Sequence, residues 1–391
     1  MTRTVITGEL LDELRFEGDP PVDAVIEQHA AERAGAPPAT LVADLAAHLE
    51  LPPNRRSAAL GAYLDETPPL PDWADPELMR RGADLFSLRG LEIGSALFLA
   101  SLPQAYASAR GARVLTLTGR LVSDPVRRVY ETAQMVFDVL AHDGLSVPDG
   151  VGYRDIRRVR LMHAAVRYLI LHDPRVSKTP SPEPGSSWDI GDGIPVSQEE
   201  LVGTLLTFTV VVFETLERQG MPASEADAEA YLHLWCVVGH LLGIRPDVLP
   251  IPLAEAREVS AMIREREWGP STDGELLGGA LVCAIQRSLP PPLRGVPPAA
   301  IRWYNGAEVA RYNGVHGGNL TEATFAPLRV GFGLFGLASS HEWLLHQLTM
   351  RCTAFVLGDF VRHGRTGHRP AFTVPEDLQA RIRHPMRRWR F

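Results

Sequence analysis

The residues best suited to chemistry are Arg160, His163 and Arg167, carried on the run Val159–Leu171. On a helix they fall at i, i+3 and i+7 and so share a face, among Leu161, Met162, Val166 and Ile170. A neutral imidazole ligates iron, and guanidinium groups pair with carboxylates such as haem propionates. The same spacing also describes a core histidine beside two solvated arginines, which is the commoner use of such a residue. A second group is Arg128, Glu131 and Thr132, at i, i+3 and i+4, with Val136 and Leu140 continuing much of that face as apolar surface. It reads either as a solvated helix edge or as the polar end of an apolar pocket. Two histidine pairs complete the inventory. His233 and His240 are seven apart on one face, whereas helical metal pairs sit three or four apart. His341 and His346, five apart, fall on different faces.

These groups need helices to position them. Apolar residues in Val159–Leu171 recur at helical spacing with no Gly or Pro. Asp75-Pro76 and Asp124-Pro125 each read as an N-cap followed by a first-turn proline, opening helices to about Leu91 and Ala141. Gly94–Pro103 is apolar and rich in small residues, a composition that allows close packing. Ser197 with Glu200 forms a capping box ahead of a helix through Leu201–Glu217. Ser224 caps another that Gly243 stops. Further helices are expected at Val22–Ala34, Thr40–Glu50, Pro252–Arg266, Gly274–Ser288, 298–313 and 320–361. Residues 173–195 form a loop whose Trp188 and Ile190 must pack somewhere. No persistent alternation suggests a sheet, and no GxGxxG, Walker, GxSxG or fixed-period repeat is present. The fold class is all-α: residues 1–75 as an N-terminal helical extension or cap, and 76–391 as one multi-helix domain.

Composition narrows the function. Hydrophobic residues make up 45% of the 391 and charged residues 22%, enough for a large core and against global disorder. The net charge of -8 argues against a general nucleic-acid binder. The basic C-terminal run Arg381–Phe391 is the exception and reads as a docking or solvated tail. Cys236, Cys283 and Cys352 form no CxxC or CxxCH, so no zinc knuckle is signalled and any haem would be held non-covalently. The N-terminus lacks the apolar core of a signal peptide, and the runs Leu201–Phe213 and Leu328–Ser339 are too short or too Gly-rich to span a bilayer. A cytoplasmic protein without stable membrane insertion is expected.

The helix Arg160-Leu161-Met162-His163-Ala164-Ala165-Val166-Arg167 resembles the haem-binding helix of the latex clearing protein and MpaB-type oxygenase family. The resemblance extends to Gly193-Ile194-Pro195-Val196-Ser197-Gln198, to the Leu-Thr-Phe-Thr helix after it, and to Tyr231–Gly243, covering roughly residues 80–360. It implies a globin-like helical core with one b-type haem, His163 as the iron ligand, and Arg160 and Arg167 supporting the haem through its propionates or from behind. It also implies that Arg128-Val129-Tyr130-Glu131-Thr132 matches a distal Arg-x-x-Lys-Thr pattern, with Glu131 in place of the lysine. The function implied is an oxidase or oxygenase that uses O2 or peroxide, with a possible electron donor, on an apolar small molecule, in a cavity that Val136 and Leu140 would line. Two other functions suit the same residues: a non-enzymatic haem or gas sensor, and a haem-free helical protein that binds an apolar ligand.

Overall fold

The computed structural model describes residues 3–33, 41, 45, 56–117, 125–174, 176, 186–287, 289, 291 and 294–316; the side chains of 125–131 are outside the description. The helices are α1 (Gly8–Leu14), α2 (Pro20–Glu32), α3 (Ala58–Asp65), α4 (Pro76–Ala96), α5 (Leu102–Ala107), α6 (Ala109–Leu117), α7 (Pro125–Leu140), α8 (Val151–His172), α9 (Gln198–Phe208), α10 (Val210–Arg218), α11 (Glu225–Leu241), α12 (Leu253–Glu267), α13 (Thr272–Arg287) and α14 (Val296–Tyr312). No strand is present among the described residues; Ser108 and Trp268 form an isolated bridge. The all-α expectation holds.

Local chemistry sets many of the boundaries. Asp75 accepts from the backbone N–H groups of Glu77 and Leu78 at the start of α4, with Pro76 in the first turn. Ser197 and Glu200 form the reciprocal capping box of α9, and Ser224 caps α11. Three expectations need correction. The helix from Asp75 does not stop near Leu91: it continues to Ala96 and, through a π turn at Leu97–Ser101, into α5. Pro103 has no N–H to donate to Leu99, and the Leu99 carbonyl accepts from Asn305 Nδ2 at 2.8 Å instead. The expected helix Leu201–Glu217 is two helices, broken at Thr209, whose hydroxyl donates back to the Leu205 carbonyl at 3.0 Å. Trp188 is buried as expected, but Ile190 is 59% exposed.

Two apolar clusters form most of the core. The larger joins α1, α4 and α7–α12 around Tyr153, Tyr231 and Trp235. The second sets Val22 and Ile26 of α2, Leu60 of α3 and Trp188 against Leu161, Ala165 and Ile170 of α8. Leu41 and Leu45, the described part of Thr40–Glu50, are helical and fully buried in it. Residues 3–33 therefore contribute to both clusters. The run Pro76–Ala107, passed over by the sequence reading, is long and apolar enough to cross a membrane, and half of its most apolar window is buried inside the fold.

Candidate functional site

The candidate site is built on α8, which extends a further two turns before Val159, to Val151. Three arginines anchor it. Arg157 is 5% exposed and donates to the carbonyls of Tyr63 and Glu66, groups left open at the end of α3. Arg160 binds the Asp19 carboxylate at two points, Nε at 2.6 Å and Nη2 at 2.8 Å. Arg167, 4% exposed, uses all three of its nitrogens: Nε donates to the Pro195 carbonyl at 3.1 Å, Nη2 to the Val196 carbonyl at 2.8 Å, and Nη1 to Asp23. His163 lies between the last two on a half-buried face, with its Nδ1 shut off from solvent.

Burial and pairing set the electrostatics. Burial works against the Arg160 charge, but the Asp19 carboxylate outweighs it, and the Arg160 pKa sits above its ordinary value. Burial also pushes the Asp23 carboxyl up, in spite of the Arg167 guanidinium beside it. His240, on α11, is held below the ordinary histidine range by burial and by nearby Arg160.

Glycines seat both ion pairs. A Cβ on Gly18 would come within 2.8 Å of Asp23 Oδ2 and 2.9 Å of Arg167 Nε. One on Gly243 would come within 2.7 Å of Arg160 Nε, and Gly243 also adopts a φ of 94° that favours glycine. Gln198 links the two seats: its Nε2 donates to the carbonyls of Gly18 (2.7 Å) and Gly243 (2.9 Å), and its Oε1 accepts from the Arg245 N–H. The run Gly193–Gln198 thus has a structural task. Val196 within it takes a φ of 55°, costly for a β-branched residue, while Arg167 holds its carbonyl.

The second group lies on α7, which packs against α8. The helices touch closely at Gly152, where a Cβ would come within 2.7 Å of Val139 Cα. From that contact, Arg128 is eleven residues back along α7 and His163 eleven forward along α8, about 16 Å along each helix at 1.5 Å per residue. The side chains of Arg128 and Glu131 lie outside the described residues, and Thr132 is exposed. Val136 and Leu140 are buried in the larger apolar cluster.

Two of the remaining candidates, His233 and Cys236, are structural. His233 Nε2 accepts from the Asp75 N–H at 2.9 Å, and its ring meets Trp73 edge-on. Burial pushes the Cys236 thiol up to about 12, which makes it inert at neutral pH. No group of three or more His, Cys, Asp or Glu among the described residues could hold a metal ion. His341, His346, Cys352 and the basic run Arg381–Phe391 lie outside the described residues. Sequence reasoning missed Asp19, Asp23 and Gln198. The local signal available was Asp19-Pro20, the same helix start recognised at Asp75-Pro76.

Residues 79–364 match the family described as ER-bound oxygenase mpaB/B'/rubber oxygenase, catalytic domain. The rubber oxygenase of Streptomyces sp. (strain K30) is 26% identical over 370 residues, covering 92% of this chain and 85% of that protein. A solved structure of latex clearing protein in the closed state superposes with a TM-score of 0.66 at 23% identity, over 91% of this chain and 92% of that one. Across most of its length, the chain belongs to the mpaB/rubber oxygenase catalytic-domain family.

Proposed function

We propose that the chain is a haem b-dependent oxygenase, with His163 as the residue that would hold the iron, that uses O2 or peroxide to oxidise an apolar, alkene- or aromatic-containing small molecule. Family membership supports the reaction class. The observation that carries the ligand assignment is the setting of His163: mid-helix, half-buried, Nδ1 inside the protein, and flanked by two arginines already neutralised by carboxylates. These residues fit a porphyrin iron. Imidazole is a suitable donor, and a fixed helix presents it in one orientation. Arg160 binds Asp19 through Nε and Nη2, which leaves Nη1 for a cofactor carboxylate. Arg167 has no nitrogen to spare and braces the helix from behind.

Haem bound there would supply the redox chemistry that activates O2 or peroxide. The chain's own residues hold and orient. On α7, which packs against α8, the Arg128 guanidinium would offset negative charge on the oxidant. The Thr132 hydroxyl would donate a hydrogen bond, and the Glu131 carboxyl would take up and release a proton. A carboxylate where the family pattern has lysine reverses the local charge, so the rubber named for the Streptomyces relative is not carried over as the substrate.

An optical spectrum of the purified chain, oxidised, reduced and under carbon monoxide, tests this reading. A strong band near 400 nm that shifts with carbon monoxide is expected of haem. His163→Ala should abolish stable haem uptake; full occupancy in that variant would refute the ligand assignment. A haem-loaded chain that binds carbon monoxide but consumes no O2 or peroxide with any apolar alkene would instead be a sensor.

A further inference from the structure

The two carboxylates that neutralise the His163 flanks come from outside the matched family region. Asp19 and Asp23 belong to the N-terminal segment, 141 and 144 residues before their partners. Asp19 is 4% exposed and stands at the N-cap position of α2, the helix that packs along α8, but its carboxylate goes to Arg160 and makes no capping bond. Each pair occupies space that only a glycine leaves open, at Gly243 and Gly18 respectively, and Gln198 ties those glycines together. The segment leading to them is fastened by charge at every turn. Arg3 binds Glu255 at 2.6 Å, Asp12 binds Arg266 at 2.6 Å, Arg15 binds Glu199 at 2.9 Å and Glu17 binds Arg245 at 3.0 Å. Two of the carboxylates on this strap thus meet the arginines one turn before and one turn after His163.

We propose that Asp19 and Asp23 are positioning residues for the His163 centre, with the N-terminal strap supplying the counter-charges that fix Arg160 and Arg167 and set the electrostatic field at the iron. This rests on the haem reading above. The physical reason is that two guanidinium charges within two turns of the ligand, without counter-ions, favour the less positive ferrous state. They would also be free to change rotamer, and His163 would lose the rigid backing of its helix. Asp19 and Asp23 supply both restraint and neutrality.

The test uses the full-length chain loaded with haem and measures its midpoint potential by optical titration, together with its melting temperature. Asp19→Asn keeps the shape and one acceptor but removes the charge. It should raise the ferrous-to-ferric ratio at a given potential about tenfold, a shift of ~59 mV for one electron. Combining it with Arg160→Gln should bring the potential back towards that of the unaltered chain. Asp12→Asn cuts the strap's bond to Arg266, remote from His163, and should lower the melting temperature without moving the potential. If Asp19→Asn does not fold, Asp23→Asn provides the measurement: its carboxylate is more exposed, Arg167 keeps both carbonyl bonds, and the shift should have the same sign. A potential unmoved by the Asp19 or Asp23 substitution, or moved equally by Asp12→Asn, overturns the inference. Failure of the unaltered chain to take up haem refutes the haem reading itself, and this inference with it, before any variant is compared.

Discussion

At the residue scale, Arg167 shows how much one buried cation can hold. Its three nitrogens serve two carbonyls and a carboxylate, which belong to the loop before α9 and to α2. Replacing it with methionine of similar length would leave the Pro195 and Val196 carbonyls without their donor and Asp23 without its counter-charge. We expect Arg167→Met to cost about 3–5 kcal/mol, the usual penalty for breaking a buried pair from one side, read from the urea midpoint. Adding Asp23→Leu should recover part of that loss, because the stranded charge is then gone. A single substitution that costs less than ~1 kcal/mol, within the range of surface pairs, would mean that water replaces the lost bonds freely. The spacing of Arg160, His163 and Arg167 was legible in the sequence because it repeats with the helical turn. The destination of each guanidinium was not, since its carboxylate partner lies more than 140 residues away.

At the element scale, what could be read depended on whether the deciding interaction is local. The α9 start was legible because Ser197 and Glu200 satisfy each other within one turn. The break at Thr209 and the π turn before Pro103 were not, because periodicity does not register a single misplaced hydrogen bond. Glu200 also gives this element a pH dependence. Burial pushes its carboxyl up to about 7, even though the N–H groups of Ser197 and Val196 and the Arg110 charge favour ionisation; Glu199 beside it opposes ionisation. The folded state therefore binds this proton more tightly than the unfolded chain does. Its contribution to stability is complete below the ordinary glutamate range, near 4.5, and is lost as the pH rises through about 7. Glu200→Gln keeps the capping geometry and removes the titration. Relative to the unaltered chain, the variant should gain about 1–2 kcal/mol between pH 5 and pH 8, the lower part of the possible range because solvent still reaches the side chain. Parallel stability curves for the two proteins would show that Glu200 ionises normally.

At the scale of the whole molecule, the N-terminal residues matter more than their composition suggests. The sequence presents 1–75 as an Ala- and Pro-rich extension, and the family match begins at residue 79. Yet Ile6, Leu10, Leu11 and Leu14 belong to the larger apolar cluster and Val22 to the second. Amphipathic pattern alone could not reveal this, since a helix that covers a neighbouring domain and one that completes a shared core have the same apolar stripe. Magnitudes decide the effect of removing residues 1–23. Burying each of these five side chains is worth about 1.5–3 kcal/mol, or roughly 8–15 kcal/mol together as an upper estimate. That is comparable to the whole stability of a typical domain, about 5–15 kcal/mol. The ion pairs of Asp12, Arg15, Glu17 and Asp19 would be lost as well, leaving Glu199 and Arg160 with fewer partners. A chain beginning at residue 24 should therefore show no cooperative thermal transition in near-ultraviolet circular dichroism, while retaining much of its far-ultraviolet helical signal. If it melts cooperatively within a few degrees of the full-length protein, the matched family region folds by itself and the strap is a dispensable cover.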